Sequence, residues 1–263
     1  MRLALAVALA GSLVAAAPAR ADQPPCELNA LDCLAVTQFS ATADGTSDAL
    51  FVTTLALPIG LELGRGLDDD AARRGLAYGA SVGATALTAG LAKLGARRAR
   101  PYTYNRHPAV VEFTRTASGN HFSFFSGHTS MAFAAATSGA LLYSPTTESE
   151  RARLGVWVGA GALASATGVL RIRAGQHFPT DVLVGAAVGT AFGIGLTYAI
   201  APDVALRGRD LAALGAGVAV GTLAATFVPL PRDVRLPLGL RDLAIAPTAS
   251  PTGAGLVLSG ALR

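Results

Sequence analysis

The sequence predicts an all-α protein, a helical bundle of about six helices long enough to cross a membrane. Three observations carry this. Of 263 residues, 51% are hydrophobic and only 14% are charged, against about 25% charged in a typical soluble domain. The apolar residues fall into uncharged runs of 17 to 21 residues separated by clusters of charge, close to the roughly 20 that span a bilayer as a helix. The runs hold Ala, Gly, Val and Thr more than Leu and Phe, and small residues let helices approach closely in a membrane. The same composition also suits a tightly packed soluble helical domain. Because the runs are apolar all round, their periodicity does not separate the two readings.

Taken in chain order, Arg2 and the apolar stretch Leu3–Ala17 precede Ala19-Arg20-Ala21, which fits the small-x-small rule of signal cleavage. Residues 1–21 therefore read as a signal peptide; an uncleaved first anchor is the competing reading, for which the stretch is short. Residues 22–48 are polar and read as an extracytoplasmic leader. It holds both cysteines, Cys26 and Cys33. Two thiols with no histidine nearby do not make a zinc site. In an oxidising compartment they could close a small disulfide loop, with two unpaired thiols as the alternative.

The helical domain is expected over residues 49–231. A short first run, Ala49–Leu61, is followed by Gly75–Ala92, Thr129–Thr147, Leu154–Leu170, Val182–Pro202 and Leu211–Pro231. The Pro- and Gly-rich segment 232–263 reads as an extracytoplasmic tail, with Leu243–Ala246 and Leu256–Leu258 as candidate strands. The net charge of +4 is modest and long basic blocks are absent, so no nucleic acid partner is expected. The sequence does not reveal the oligomeric state.

Counting spans from an exported N-terminus puts two charged gaps, Lys93–His128 and Arg171–Asp181, on one side of the membrane, the periplasmic one. Three pieces stand out in them. In KLGARRARP, Lys93 and Arg100 are seven residues apart, so a continuous helix would carry them on one face, and Pro101 then turns the chain out of the helix. In FSGHTS, Ser126 is a good N-cap, Gly127 allows close backbone approach, and the first-turn N–H groups form an anion site that His128 would face. In RIRAGQHFPTD, Pro179 suits a first helical turn. Asp181 there is spaced to hold one ring nitrogen of His177, and Arg171 offers a fork matched to phosphate oxygens. Each piece alone also fits a bland reading, as interfacial anchors or helix caps.

Together the spacings are Lys93-x6-Arg100-Pro101, Ser126-Gly127-His128 and Arg171-x5-His177-x3-Asp181. This pattern resembles the type 2 phosphatidic acid phosphatase (PAP2) superfamily, and within it the bacterial membrane lipid phosphatases. The superfamily also takes in class A acid phosphatases and vanadium haloperoxidases. Nine of the eleven residues of its signature K-x6-R-P, P-S-G-H, S-R-x5-H-x3-D are present, in order and at the right internal spacing. Phe125 stands where the family usually has Pro, and Leu170 where it usually has Ser.

The resemblance implies a helical bundle with the site where the motif-bearing helices meet, and it implies roles. His177 would attack phosphorus and carry the phosphoryl group. Asp181 would fix its tautomer. His128 would protonate the leaving oxygen and then activate water. Lys93, Arg100 and Arg171, with backbone N–H at Ser126 and Gly127, would bind the phosphate oxygens. The scheme calls for no metal and no other cofactor. The expected substrate is a lipid phosphate or diphosphate, hydrolysed at the periplasmic face of a bacterial inner membrane. A soluble periplasmic acid phosphatase with the same site is the alternative. A haloperoxidase, or a non-catalytic membrane protein that keeps the fold, stands further off.

Overall fold

The computed structural model describes residues 26–229 in full and two C-terminal strands by their backbone. The expected signal peptide lies outside the described residues, as does the start of the tail. Among the described residues, eight α-helices follow one another: α1 (Ala30–Cys33), α2 (Ala41–Arg65), α3 (Ala71–Ala96), α4 (Pro108–Thr116), α5 (Gly127–Tyr143), α6 (Glu150–Arg173), α7 (Pro179–Ile200) and α8 (Gly208–Phe227). Strands β1 (Leu240–Ser250) and β2 (Gly253–Leu262) pair antiparallel, with Ser250 opposite Gly253. Both candidate strand segments of the tail fall inside this hairpin.

The six apolar runs are the six long helices, and the domain they build is all-α. Side-chain oxygens of Ser40, Ser126 and Ser149 accept from Ala43, Thr129 and Ala152 backbone N–H at the starts of α2, α5 and α6. Such caps satisfy donors that have no acceptor inside the helix. α2 begins at Ala41, ahead of the apolar run that announced it.

α5 is the axis of the bundle. It is buried from Gly127 to Leu142 and packs against α7, α6, α3 and α2, while α8 lies along α6. A helix with neighbours on every side has no polar face to display, hence its all-round apolar run. The α5–α7 contact is built on small residues. Gly185, Gly189, Gly193 and Thr197 recur every fourth position on the buried face of α7. A methyl group at Gly189 would fall on the Ser130 carbonyl oxygen, so the two backbones approach as closely as they do only because no Cβ intervenes. Buried hydroxyls of Ser138 and Thr197 meet across the same contact at 2.7 Å.

Four of the described helices, α2, α6, α7 and α8, are long and apolar enough to cross a membrane. The 17-residue α5 and the small-residue-rich α3, both expected as spans, are not in that set. Large apolar side chains also point away from the bundle on the outer helices. Leu76, Leu87 and Leu91 on α3, Leu183 on α7, and Val220, Leu223 and Phe227 on α8 are exposed. The two ends of the bundle differ. One is stapled by ion pairs, Arg153–Asp210 between α6 and α8 and Arg74–Glu62 at the α2–α3 turn. At the other meet the starts of α2, α5 and α7 and the ends of α3 and α6.

Candidate active site

Each expected site residue lies at this second end. α3 stops at Ala96, where Arg97 takes a left-handed conformation (φ 43°). Such a residue ends a helix, so Lys93 and Arg100 do not share a helical face. Arg100 reaches the site from extended backbone, before the 3-10 turn Pro101–Tyr104. Its Nε donates to the Gly119 carbonyl at 2.9 Å and its Nη1 to Gln176 Oε1. Lys93 stays on α3, where a methyl group at Gly127 would come within 3.4 Å of its Nζ.

His177 precedes α7, with Pro179 at the first turn as anticipated. Its ring is 1% exposed, and Nδ1 lies 2.7 Å from the Ser123 carbonyl oxygen. A carbonyl only accepts, so Nδ1 carries the ring proton and Nε2 keeps its lone pair. Burial pushes the pKa well below the ordinary histidine value, and the nearby Arg100, Lys93 and Arg171 act in the same sense against Asp181. The ring is therefore neutral and nucleophilic at neutral pH.

The Asp181 carboxylate stands 3.8 Å from Nδ1, beyond a hydrogen bond. It had been expected to hold the ring directly; the Ser123 carbonyl does so instead. Asp181 is fully buried and filled by other donors. Oδ2 accepts from Ser123 Oγ at 2.6 Å and from Phe178 N–H at 3.0 Å, and Oδ1 from Arg98 Nη1 at 2.6 Å. It thus acts on His177 through Ser123 and through its charge.

Ser126 caps α5, and its hydroxyl takes bonds from Thr129 N–H and Oγ1. Its own backbone N–H donates to the Asp181 carbonyl at 3.1 Å and is not available to a phosphate. Helix geometry leaves the N–H groups of Gly127 and His128 without intrahelical acceptors. The expected anion site thus shifts one residue along the chain.

A whole wall of the site lies outside the three sequence motifs. Asp44, Ser47, Asp48 and Phe51 form one face at the start of α2. Arg171 Nη1 donates to Asp44 Oδ1 at 2.6 Å and to Ser47 Oγ and Asp48 Oδ1 at 3.2 Å. Asp48 Oδ1 lies 3.1 Å from His128 Nε2, and the Phe51 ring packs 4.5 Å from the His128 ring. The i, i+3, i+4, i+7 spacing of these four residues was the available signal. Their two charges hid it, because they end the apolar run. Among the described residues, two buried side-chain nitrogens lack a hydrogen bond: Arg171 Nε, and His128 Nε2, whose 3.1 Å approach to Asp48 is an ion-pair contact without hydrogen-bond geometry. Unsatisfied buried polar atoms are rare, and both of these side chains lie against Asp48.

Leu170, at the position where a serine was expected, packs with Ala43, Ala174 and Ala225. Phe125 is buried as well. Both departures therefore serve the core.

A helical bundle that gathers a free histidine nitrogen, a second histidine and three cations at the mouths of its helices is built for handling phosphate. Residues 74–204 match the family model of the PAP2 superfamily, and the chain belongs to that superfamily. No curated protein and no solved structure gives a significant match to the chain. Membership supports a phosphatase-type activity. Asp32, Asp44 and Asp48 lie before the matched segment.

Proposed function

We propose that the protein is a membrane phosphatase that hydrolyses a lipid phosphate or diphosphate at the periplasmic face through a phosphohistidine intermediate. The observation that carries this reading is the state of His177: Nδ1 is pinned to a carbonyl, Nε2 is left as a lone pair, and buried cations stand around it. In the first step the Nε2 lone pair attacks phosphorus and the bond to the leaving oxygen breaks. His128 gives that oxygen a proton, and Asp48 beside it steadies the charged ring. In the second step His128 takes a proton from water, the hydroxide attacks phosphorus, and the P–N bond returns its electrons to His177. Lys93, Arg100 and Arg171, with the Gly127 and His128 amides, offset the charge on the phosphoryl oxygens. No step uses a metal ion.

The lipid substrate and the membrane setting rest on the outer helices. α7 buries glycine, α3, α7 and α8 expose leucine, valine and phenylalanine, and four helices are of spanning length. The periplasmic orientation rests on the signal-like N-terminus and on the site lying at the end of the bundle where α2 begins.

The test is phosphate release by detergent-purified protein on a panel of lipid phosphates, lipid diphosphates and a small aryl phosphate in EDTA. Release is expected to survive EDTA and to vanish in His177→Ala, and the lipid substrates are expected to outrun the aryl phosphate. Equal turnover of the aryl phosphate would favour the broad-specificity alternative. Persistence of turnover in His177→Ala would rule out the histidine mechanism.

A further inference from the structure

We propose that Asp32, carried on the disulfide-closed N-terminal segment, is a positioning residue for phosphoryl transfer, acting through Arg98 on Asp181 and so on His177. The proposal rests on the phosphatase reading for its kinetic arm only.

Asp32 is fully buried although it sits in a four-residue helix near the chain start. A buried carboxylate is costly unless donors surround it, and these do. Oδ1 accepts from Thr180 N–H at 3.1 Å and Thr180 Oγ1 at 2.9 Å, and Oδ2 from Asn29 Nδ2 at 2.7 Å and Arg98 Nη2 at 2.6 Å. Its far partners are thus the first turn of α7, next to Asp181, and Arg98. The Cys26–Cys33 disulfide closes the segment that delivers it.

Arg98 bridges two carboxylates, with Nη2 on Asp32 and Nη1 on Asp181, both at 2.6 Å. Its guanidinium lies 4.1 Å from the centre of the Phe178 ring. Two routes run from Arg98 to the nucleophile. One passes through Asp181, which accepts from Ser123 Oγ. The other passes through the backbone: Ser123 N–H donates to the Arg98 carbonyl at 3.0 Å, and the Ser123 carbonyl holds His177 Nδ1. Without Asp32, Arg98 keeps one carboxylate and a side chain already 26% exposed, so its hold on Asp181 loosens. Asp32 does not touch the reacting atoms, and its effect must travel along these contacts.

The charged groups around His177 are Asp181, Lys93, Arg100 and Arg171. Beyond them stand His128, Asp44 and Asp48 on the Arg171 side and Arg98 and Asp32 on the Asp181 side. Asp32→Asn removes a negative charge from this set and Arg98→Gln a positive one. The two must therefore move the His177 titration in opposite directions, which a loss of packing alone would not do.

The experiment compares wild type, Asp32→Asn, Asp32→Glu and Arg98→Gln as full-length protein in detergent. It measures kcat and KM across pH, and 15N NMR of the histidine rings in the resting protein, with His177→Gln assigning the signal. Asp32→Asn is expected to lower kcat about 10- to 100-fold while KM stays within about twofold. Asp32→Glu should recover part of the loss. The acid limb should move to lower pH in Asp32→Asn and to higher pH in Arg98→Gln. In the resting Asp32→Asn protein, the His177 signal should lose its single Nδ1–H tautomer. Wild-type kcat together with an unchanged tautomer in Asp32→Asn would overturn the proposal. So would a loss that Glu does not relieve and that shifts no titration, since that marks a packing role. If the wild type releases phosphate from no substrate, the phosphatase reading fails, and the NMR arm alone decides this inference.

Discussion

Ser123 works with three of its atoms at once. Its amide donates to Arg98, its hydroxyl to Asp181, and its carbonyl receives the His177 ring. Ser123→Ala removes only the middle link. We expect kcat to fall about tenfold, equivalent to about 1.4 kcal/mol of barrier, with KM little changed, and steady-state kinetics would check it. Asp181→Asn should cost more, because it also removes the charge that supports the imidazolium. The buried His177 gives a second outcome. Its pKa is depressed in the folded protein, so the ring stays neutral below the ordinary value of about 6.5. The acid limb of kcat/KM that belongs to His177 should therefore lie below pH 6.5. By the same linkage the unfolded chain binds the proton first as pH falls. Stability should then decline below about pH 6.5 and decline less steeply in His177→Gln, as denaturant titrations across pH would read.

Among the elements, the α5–α7 contact sets the distance between the two histidine-bearing helix starts. Gly189→Val would force α7 off α5 at Ser130. Overpacking of this kind costs about 1–3 kcal/mol, and it should lower both the thermal midpoint and kcat, since Asp181 rides on the displaced helix. Gly195→Val, at an open position on the same helix, should do neither. The same elements mark how far the sequence could be read. Six runs announced six long helices, because an apolar stretch bounded by charges has few other ways to satisfy its backbone. The start of α2 was hidden, because Asp44 and Asp48 look like the end of an apolar run until Arg171 is known to face them. The break after Ala96 was hidden too, because a left-handed arginine leaves no mark in composition. The nine signature residues were legible through their resemblance to the family signature, whereas Arg98, Ser123 and Asp32 became visible only through the contacts that join them.

At the scale of the whole molecule, the bundle carries apolar side chains outside as well as in its core. Glycines and small hydroxyl residues fill the contact between α5 and α7, and leucines and phenylalanine face outward from α3, α7 and α8. In water such a surface would aggregate; in lipid it is the favoured arrangement. The protein is therefore expected to stay with the membrane fraction through high-salt and alkaline washes and to be released by detergent. Recovery in a detergent-free soluble extract would instead favour the soluble alternative. The small disulfide near the start of the chain has a consequence at this scale. The Cys26–Cys33 bond forms only where thiols can be oxidised, and it closes the segment that carries Asp32 to the nucleophile's support. On the proposed orientation, the segment meets oxidising conditions only after it has crossed the membrane, so the clamp is completed on the periplasmic side. The turnover that Asp32 supports would then be reached in full only after that bond has formed.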